Sequence, residues 1–148
     1  MEEWRDIAGY EGLYLVSNTG KIKSLERIVV YTEKRQAVRK EREIKPLVGD
    51  RYYHVGLHKD GKMKTRHIHR IVAETFISNP NKLPCVNHID ENKLNNTANN
   101  LEWCTHLYNT RYGNALKNKV KNTNYYSEKR MKHLREMIEN NKKRKEVS

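Results

Sequence analysis

The segment from Pro84 to Thr105 constrains the fold of this 148-residue chain more than any other. Two short apolar runs, Cys85–Asn87 and Leu101–Cys104, bracket a polar loop from Asp90 to Asn100, rich in turn-forming asparagine. The runs read as the strands of a hairpin. Thr105, just behind the second strand, is a natural N-cap for a helix through Leu107, Tyr108 and Tyr112. His88 follows the first strand, and the helix brings Asn109 back towards it about one turn in. A small cleft between hairpin and helix is the expected result, with one imidazole among side-chain amide oxygens.

The N-terminal half reads as β-rich. Leu13–Val16 is a strand, Asn18-Thr19-Gly20 a turn, and Lys21–Leu25 a second, alternating strand. The charged stretch from Glu33 to Glu43 has no period and reads as an exposed loop or a long hairpin tip. Asp60-Gly61 between two extended runs is a hairpin signal, because both turn positions need positive φ. Ile68, Ile71, Val72, Thr75 and Phe76 then recur at helical spacing, and Asn79-Pro80-Asn81 ends that helix. Trp103 and Phe76 are expected in the core. Beyond Gly113, Ser127-Glu128 opens a helical run with Met131, Leu134, Met137 and Ile138 on one stripe.

Charge points to the partner. The chain carries +12, of which residues 20–70 hold +9 and 114–148 hold +7, while 1–19 carry −3 and 71–113 carry −1. A near-neutral centre between two basic flanks suits flanks that grip phosphates and a centre that does chemistry. One imidazole beside a hard divalent cation is sufficient for phosphodiester hydrolysis. The two cysteines, Cys85 and Cys104, are too few for a disulfide scaffold, lack any Cys-x-x-Cys pair for zinc, and read as core residues. With no signal peptide or membrane-length apolar run, the reading is a cytoplasmic protein without a membrane partner.

On these residues, the segment around His88 resembles the HNH endonuclease superfamily, in the branch of phage- and intron-encoded homing endonucleases. Trp4–Leu25 resembles the small β-rich DNA-binding module that often precedes that nuclease. Together the two cover residues 3–113. The expected architecture is α+β: an antiparallel β-rich DNA-binding module over 1–50, a ββα-metal nuclease core over 51–113, and a helical basic tail over 114–148. The resemblance implies a metal-dependent DNA endonuclease of homing type, acting in the bacterial host cytoplasm if phage-encoded. It makes His88 the general base, Asn100 the catalytic loop support, and Asn87 and Asn109 the ligands of Mg²⁺ or Mn²⁺. His88, Asn100 and Asn109 are 12 and 9 residues apart, in the family's order. The ligand before the histidine is often Asp in the family; neutral Asn87 holds a cation more loosely unless substrate phosphate completes the site.

Supporting roles follow. His106, one turn before Asn109, is a candidate for metal or phosphate contact, and His69, Asn95 and Asn96 are candidates for supporting the site from behind. Lys21, Lys23, Arg51, Lys59, Lys62, Lys64, Arg66, Arg111, Lys117, Lys119 and Lys121 are candidate contacts to double-stranded DNA. A monomer with one centre would nick; cutting both strands calls for a dimer or a second binding event. The rival reading is a DNA-binding regulator with a weakened nuclease centre.

Overall fold

The computed structural model describes residues 1–49 and 51–113, together with Glu128 and Lys132. The tail helix from Ser127 and the DNA contacts expected of Lys117, Lys119 and Lys121 lie outside the described residues. Two units divide the chain, Met1–Asn109 and Thr110–Ser148.

The first sheet is built from β1 (Trp4–Asp6), β2 (Tyr14–Ser17) and β3 (Ile22–Ser24). At the β2–β3 reversal, the buried Ser17 hydroxyl accepts the backbone N–H of Lys21 at 3.1 Å, and Gly20 sits at φ +89°. Only glycine enters that region without steric cost. The charged stretch from Glu33 to Glu43, expected as an exposed loop or a long hairpin tip, holds the turn and returning strand of a hairpin and then a further strand. Among the described residues β4 (Arg27–Thr32) and β5 (Arg35–Arg39) pair with each other alone, whereas β6 (Arg42–Ile44) joins the first sheet beside β3, setting Ile44 opposite Ile22. Alternation accounts for Glu43, which faces away from the side that Ile44 presents to Ile22, while Arg42, on the side of Ile44, is exposed at the start of the strand.

β7 (Leu47–Val48), β8 (Tyr53–Lys59) and β9 (Lys62–His67) form a second antiparallel sheet. Asp60 at φ +51° and Gly61 at φ +71° close the β8–β9 hairpin, as the Asp-Gly pair predicts. α1 (Ile68–Phe76) leaves β9 directly. Its buried stripe of Ile68, Ile71, Val72 and Ala73 packs against β2, β8, β9 and a further hairpin, formed by β10 (Cys85–His88) and β11 (Leu101–Cys104). Thr75 and Phe76, expected on that stripe, are half-buried, and the Arg5 guanidinium lies 4.8 Å over the Phe76 ring. Trp103 is likewise half-buried, its indole N–H donating to the Ile77 carbonyl at 3.1 Å. α2 (His106–Arg111) starts where Thr105 predicts, with the Thr105 hydroxyl accepting the Tyr108 N–H at 3.1 Å.

One apolar cluster joins Ile7, Val16 and Ile22 of the N-terminal region to Val55, Leu57, α1, Val86 and Leu101. Each large side chain there contributes about 1.5–3 kcal/mol by leaving water. Among the described residues no helix is long and apolar enough to cross a membrane.

Candidate active site

β10 and β11 run antiparallel with Asn87 opposite Glu102 and His88 opposite Leu101. Side chains alternate along a strand, so Val86 and His88 face α1 while Asn87 and Cys85 face the other way. The loop after His88 is held by side-chain amides in place of regular pairing. Asn100 is its hub: its Oδ1 accepts the Asp90 N–H at 3.0 Å, and its Nδ2 donates to Asp90 Oδ1 at 2.8 Å and to the Asn95 carbonyl at 2.9 Å. Asn95 Nδ2 donates to the second Asp90 oxygen at 2.7 Å. These donors hold the exposed Asp90 carboxyl below its ordinary pKa, with Asn95 the largest influence. Glu91 takes φ +61° at the tight turn, where its N–H donates to the His88 carbonyl at 3.0 Å.

His88 is buried, and its Nε2 stands 3.1 Å from Asn96 Oδ1. An amide oxygen only accepts, so Nε2 carries the proton and Nδ1 keeps its lone pair. Burial pushes the His88 pKa down; the Asn96 bond and Asp90 oppose the shift, and Lys93 adds to it. A neutral imidazole with one fixed tautomer is what a general base requires. Behind it, the His69 ring packs edge-on at 5.2 Å between centroids, and Tyr52 is 4.9 Å from His69 and 6.1 Å from His88. His69 is pushed down to about 3, chiefly by burial and then by its neighbours His88, His67 and Arg70. It therefore stays neutral and adds bulk without charge.

Asn87 is buried and donates its Nδ2 to Glu102 Oε1 at 2.8 Å, while its Oδ1 accepts no hydrogen bond among the described residues. Asn109 is exposed on α2. Among the described residues no three His, Cys, Asp or Glu side chains gather as a metal-binding group, so the available donors are hard amide oxygens. Oxygen donors of this kind fit a divalent metal ion. Cys85 Sγ lies 3.0 Å from His106 Nδ1, which ties His106 to the strand. Cys104 is buried, and burial raises its thiol pKa.

The structure thus gathers Asn87, His88, Asn95, Asn96, Asn100 and His69 about one hairpin. Three neighbours escaped the sequence reading. Tyr52 packs on His69, with the Lys93 ammonium 5.3 Å over its ring, and Glu102 stands beside Asn87. Of these only Glu102 had a signal, the register of the hairpin itself.

The candidate DNA contacts spread over the surface. Lys59, Lys62 and Lys64 are exposed on β8 and β9 beside Gly9 and Tyr10, edging a groove of about 550 Å³. Arg66 lines the same groove but pairs with Glu74. Lys21 pairs with Glu2 at 3.4 Å and Lys23 with Glu41 at 3.1 Å. Arg51 is exposed, as is Arg111 at the end of α2.

The chain is similar to known proteins. Residues 2–58 match the NUMOD4 motif. The chain is 42% identical over 107 residues to the DNA endonuclease I-HmuI of Bacillus phage SP01, covering 72% of this chain and 55% of that protein. It is 35% identical over 119 residues to an uncharacterized HNH endonuclease of Acanthamoeba polyphaga mimivirus, covering 78% of this chain and 31% of the relative. A solved structure described as DNA binding and cleavage by the HNH homing endonuclease I-HmuI superimposes with a TM-score of 0.59 at 35% identity, covering 82% of this chain and 59% of that one. The chain therefore spans about half or less of the length of these relatives. Sequence, motif and fold agree, and the chain belongs to the HNH homing endonuclease family.

Proposed function

We propose that this chain is a divalent-metal-dependent DNA endonuclease that hydrolyses phosphodiester bonds at a homing-type site. The observation that carries the reading is His88, buried and uncharged, with Nε2 held by Asn96 and Nδ1 left to accept a proton. Family membership supports it, since HNH endonucleases generally use divalent ions.

The scissile phosphate would sit at the loop end of the β10–β11 hairpin, where His88 pairs with Leu101. His88 Nδ1 takes the proton from water as its oxygen attacks phosphorus, and Asn96 stabilises the imidazolium that forms through the Nε2–H bond. Asn100 keeps the loop that carries Asn95 and Asn96 closed over the base. Asn87 and Asn109 would hold Mg²⁺ or Mn²⁺, which when bound neutralises charge on the phosphate and the leaving 3′ oxygen. Glu102 draws on the Asn87 Nδ2–H and so makes Asn87 Oδ1 a better donor than an unpaired amide. The products are a 3′-hydroxyl and a 5′-phosphate.

Basic side chains position the duplex. Lys59, Lys62 and Lys64 line one groove, Arg51 and Arg111 add exposed charge, and Lys21, Lys23 and Arg66 would exchange carboxylate partners for phosphates. His106, 3.0 Å from Cys85, supports the hairpin's open strand more directly than it serves a cation. A chain acting alone nicks one strand. Neutral ligands favour one other reading, a DNA-binding regulator with a weak centre.

Incubation of supercoiled plasmid with Mg²⁺ or Mn²⁺ separates the two. Nicked circles that vanish with EDTA are expected; intact plasmid in both ions, with binding retained, would establish the regulator instead.

A further inference from the structure

The turn between β2 and β3 of the N-terminal sheet meets the loop of the β10–β11 hairpin. The Ala98 N–H donates to the Asn18 carbonyl at 2.8 Å, across the gap between the two segments. Gly20 approaches still closer. A Cβ there would stand 2.9 Å from the Cβ of Asn96 and 3.2 Å from its carbonyl oxygen. Real Cβ atoms do not tolerate the first distance, so the hydrogen at Gly20 is what lets Asn96 occupy its place.

The turn is rigid enough to act as a stop. Asn18 exchanges hydrogen bonds with Glu3, just before β1: its N–H donates to the Glu3 carbonyl at 3.0 Å, and its side-chain Oδ1 accepts the Glu3 N–H at 3.1 Å. Ser17 holds Thr19 and Lys21 from within. Asn96 itself is buried, and its Oδ1 meets His88 Nε2.

We infer that Gly20 is a positioning residue for the reaction: the Asn18–Gly20 turn sets Asn96, and Asn96 sets the tautomer and orientation of His88. This rests on His88 being the base. The N-terminal module then does more than hold DNA, because part of the machinery's geometry is fixed by its β2–β3 turn. Asn96→Ala removes the amide directly; Gly20→Ala displaces it from outside.

Gly20→Ala in the full chain tests the inference, with Gly12→Ala as the control. Gly12 has φ +69°, a left-handed conformation like that of Gly20, but nothing lies within 4 Å of its would-be Cβ. Gly12→Ala therefore carries turn strain without the collision. Gly20→Ala should lower single-turnover nicking by about 10- to 100-fold, the scale of an ångström-sized misplacement, with plasmid affinity unchanged. Gly12→Ala should nick at the wild-type rate. In an Asn96→Ala background, Gly20→Ala should add no further loss, because the two act on one contact. Nitrogen NMR of His88 gives a readout apart from activity: the single Nε2–H tautomer should become a mixture in Gly20→Ala and persist in Gly12→Ala.

Wild-type nicking by Gly20→Ala, an equal loss in Gly12→Ala, or independent losses in the double variant would overturn the inference. A His88→Ala variant that still nicks removes the base assignment instead, and the NMR comparison then decides whether Gly20 positions the ring.

Discussion

The β10–β11 hairpin and the β4–β5 arm are both two-stranded, yet they are stabilised by opposite means. The hairpin buries Val86, Asn87, His88, Leu101 and Cys104, and its loop is tied by a mesh of asparagine amides centred on Asn100. The arm exposes Ile28, Val30, Tyr31 and Val38 to roughly half or more of their surface, and among the described residues its strands pair only with each other. Its side chains meet locally, as where Arg39 donates to the Tyr31 hydroxyl at 3.2 Å. A site that must hold an imidazole to fractions of an ångström is built from buried, reciprocally bonded amides.

That contrast can be broken at several points. Asn100→Ala should have the largest effect, because it strips partners from the Asp90 N–H, the Asp90 carboxylate and the Asn95 carbonyl together. A loss of about 2–4 kcal/mol in urea unfolding is expected from unsatisfied groups of this kind, along with most of the nicking. A variant that loses activity without stability would mean that Asn100 acts on substrate and not on the loop.

Lys62→Ala with Lys64→Ala should leave folding intact and weaken DNA binding on every sequence. Each lost phosphate contact should reduce the log–log salt slope by about 1. An unchanged slope would place the duplex elsewhere on the surface.

Acid probes the packing behind the base. His69 has a folded pKa of about 3 against an ordinary 6.5, so the unfolded chain binds this proton first. Stability should therefore fall as pH drops from about 6.5 towards 3, and His69→Leu should flatten that slope in denaturant titrations at pH 5 and 7.5. At the small end, Val30→Ser and Val38→Ser in the arm should shift stability by no more than about 0.5 kcal/mol, as exposed positions do.

Much of the hairpin is legible from residues alone. Leu101–Cys104, Thr105 as a cap and α1 over Ile68–Phe76 follow from alternation, capping and helical period, all of them local. Asp60-Gly61 declares its turn for the same reason. β6 is hidden because charges that suit an edge strand look like a loop until Ile22 supplies a partner for Ile44. Tyr52 and Gly20 are harder still. Their importance lies in contacts to His69, His88 and Asn96 from far along the chain, and no period or spacing encodes those approaches.

The central claim is that one buried, neutral imidazole does the proton transfer. Single-turnover nicking by wild type and His88→Ala, at matched plasmid occupancy in Mg²⁺, tests it directly. Loss of at least about 100-fold in rate with unchanged DNA affinity is the predicted result; wild-type nicking by His88→Ala would contradict it.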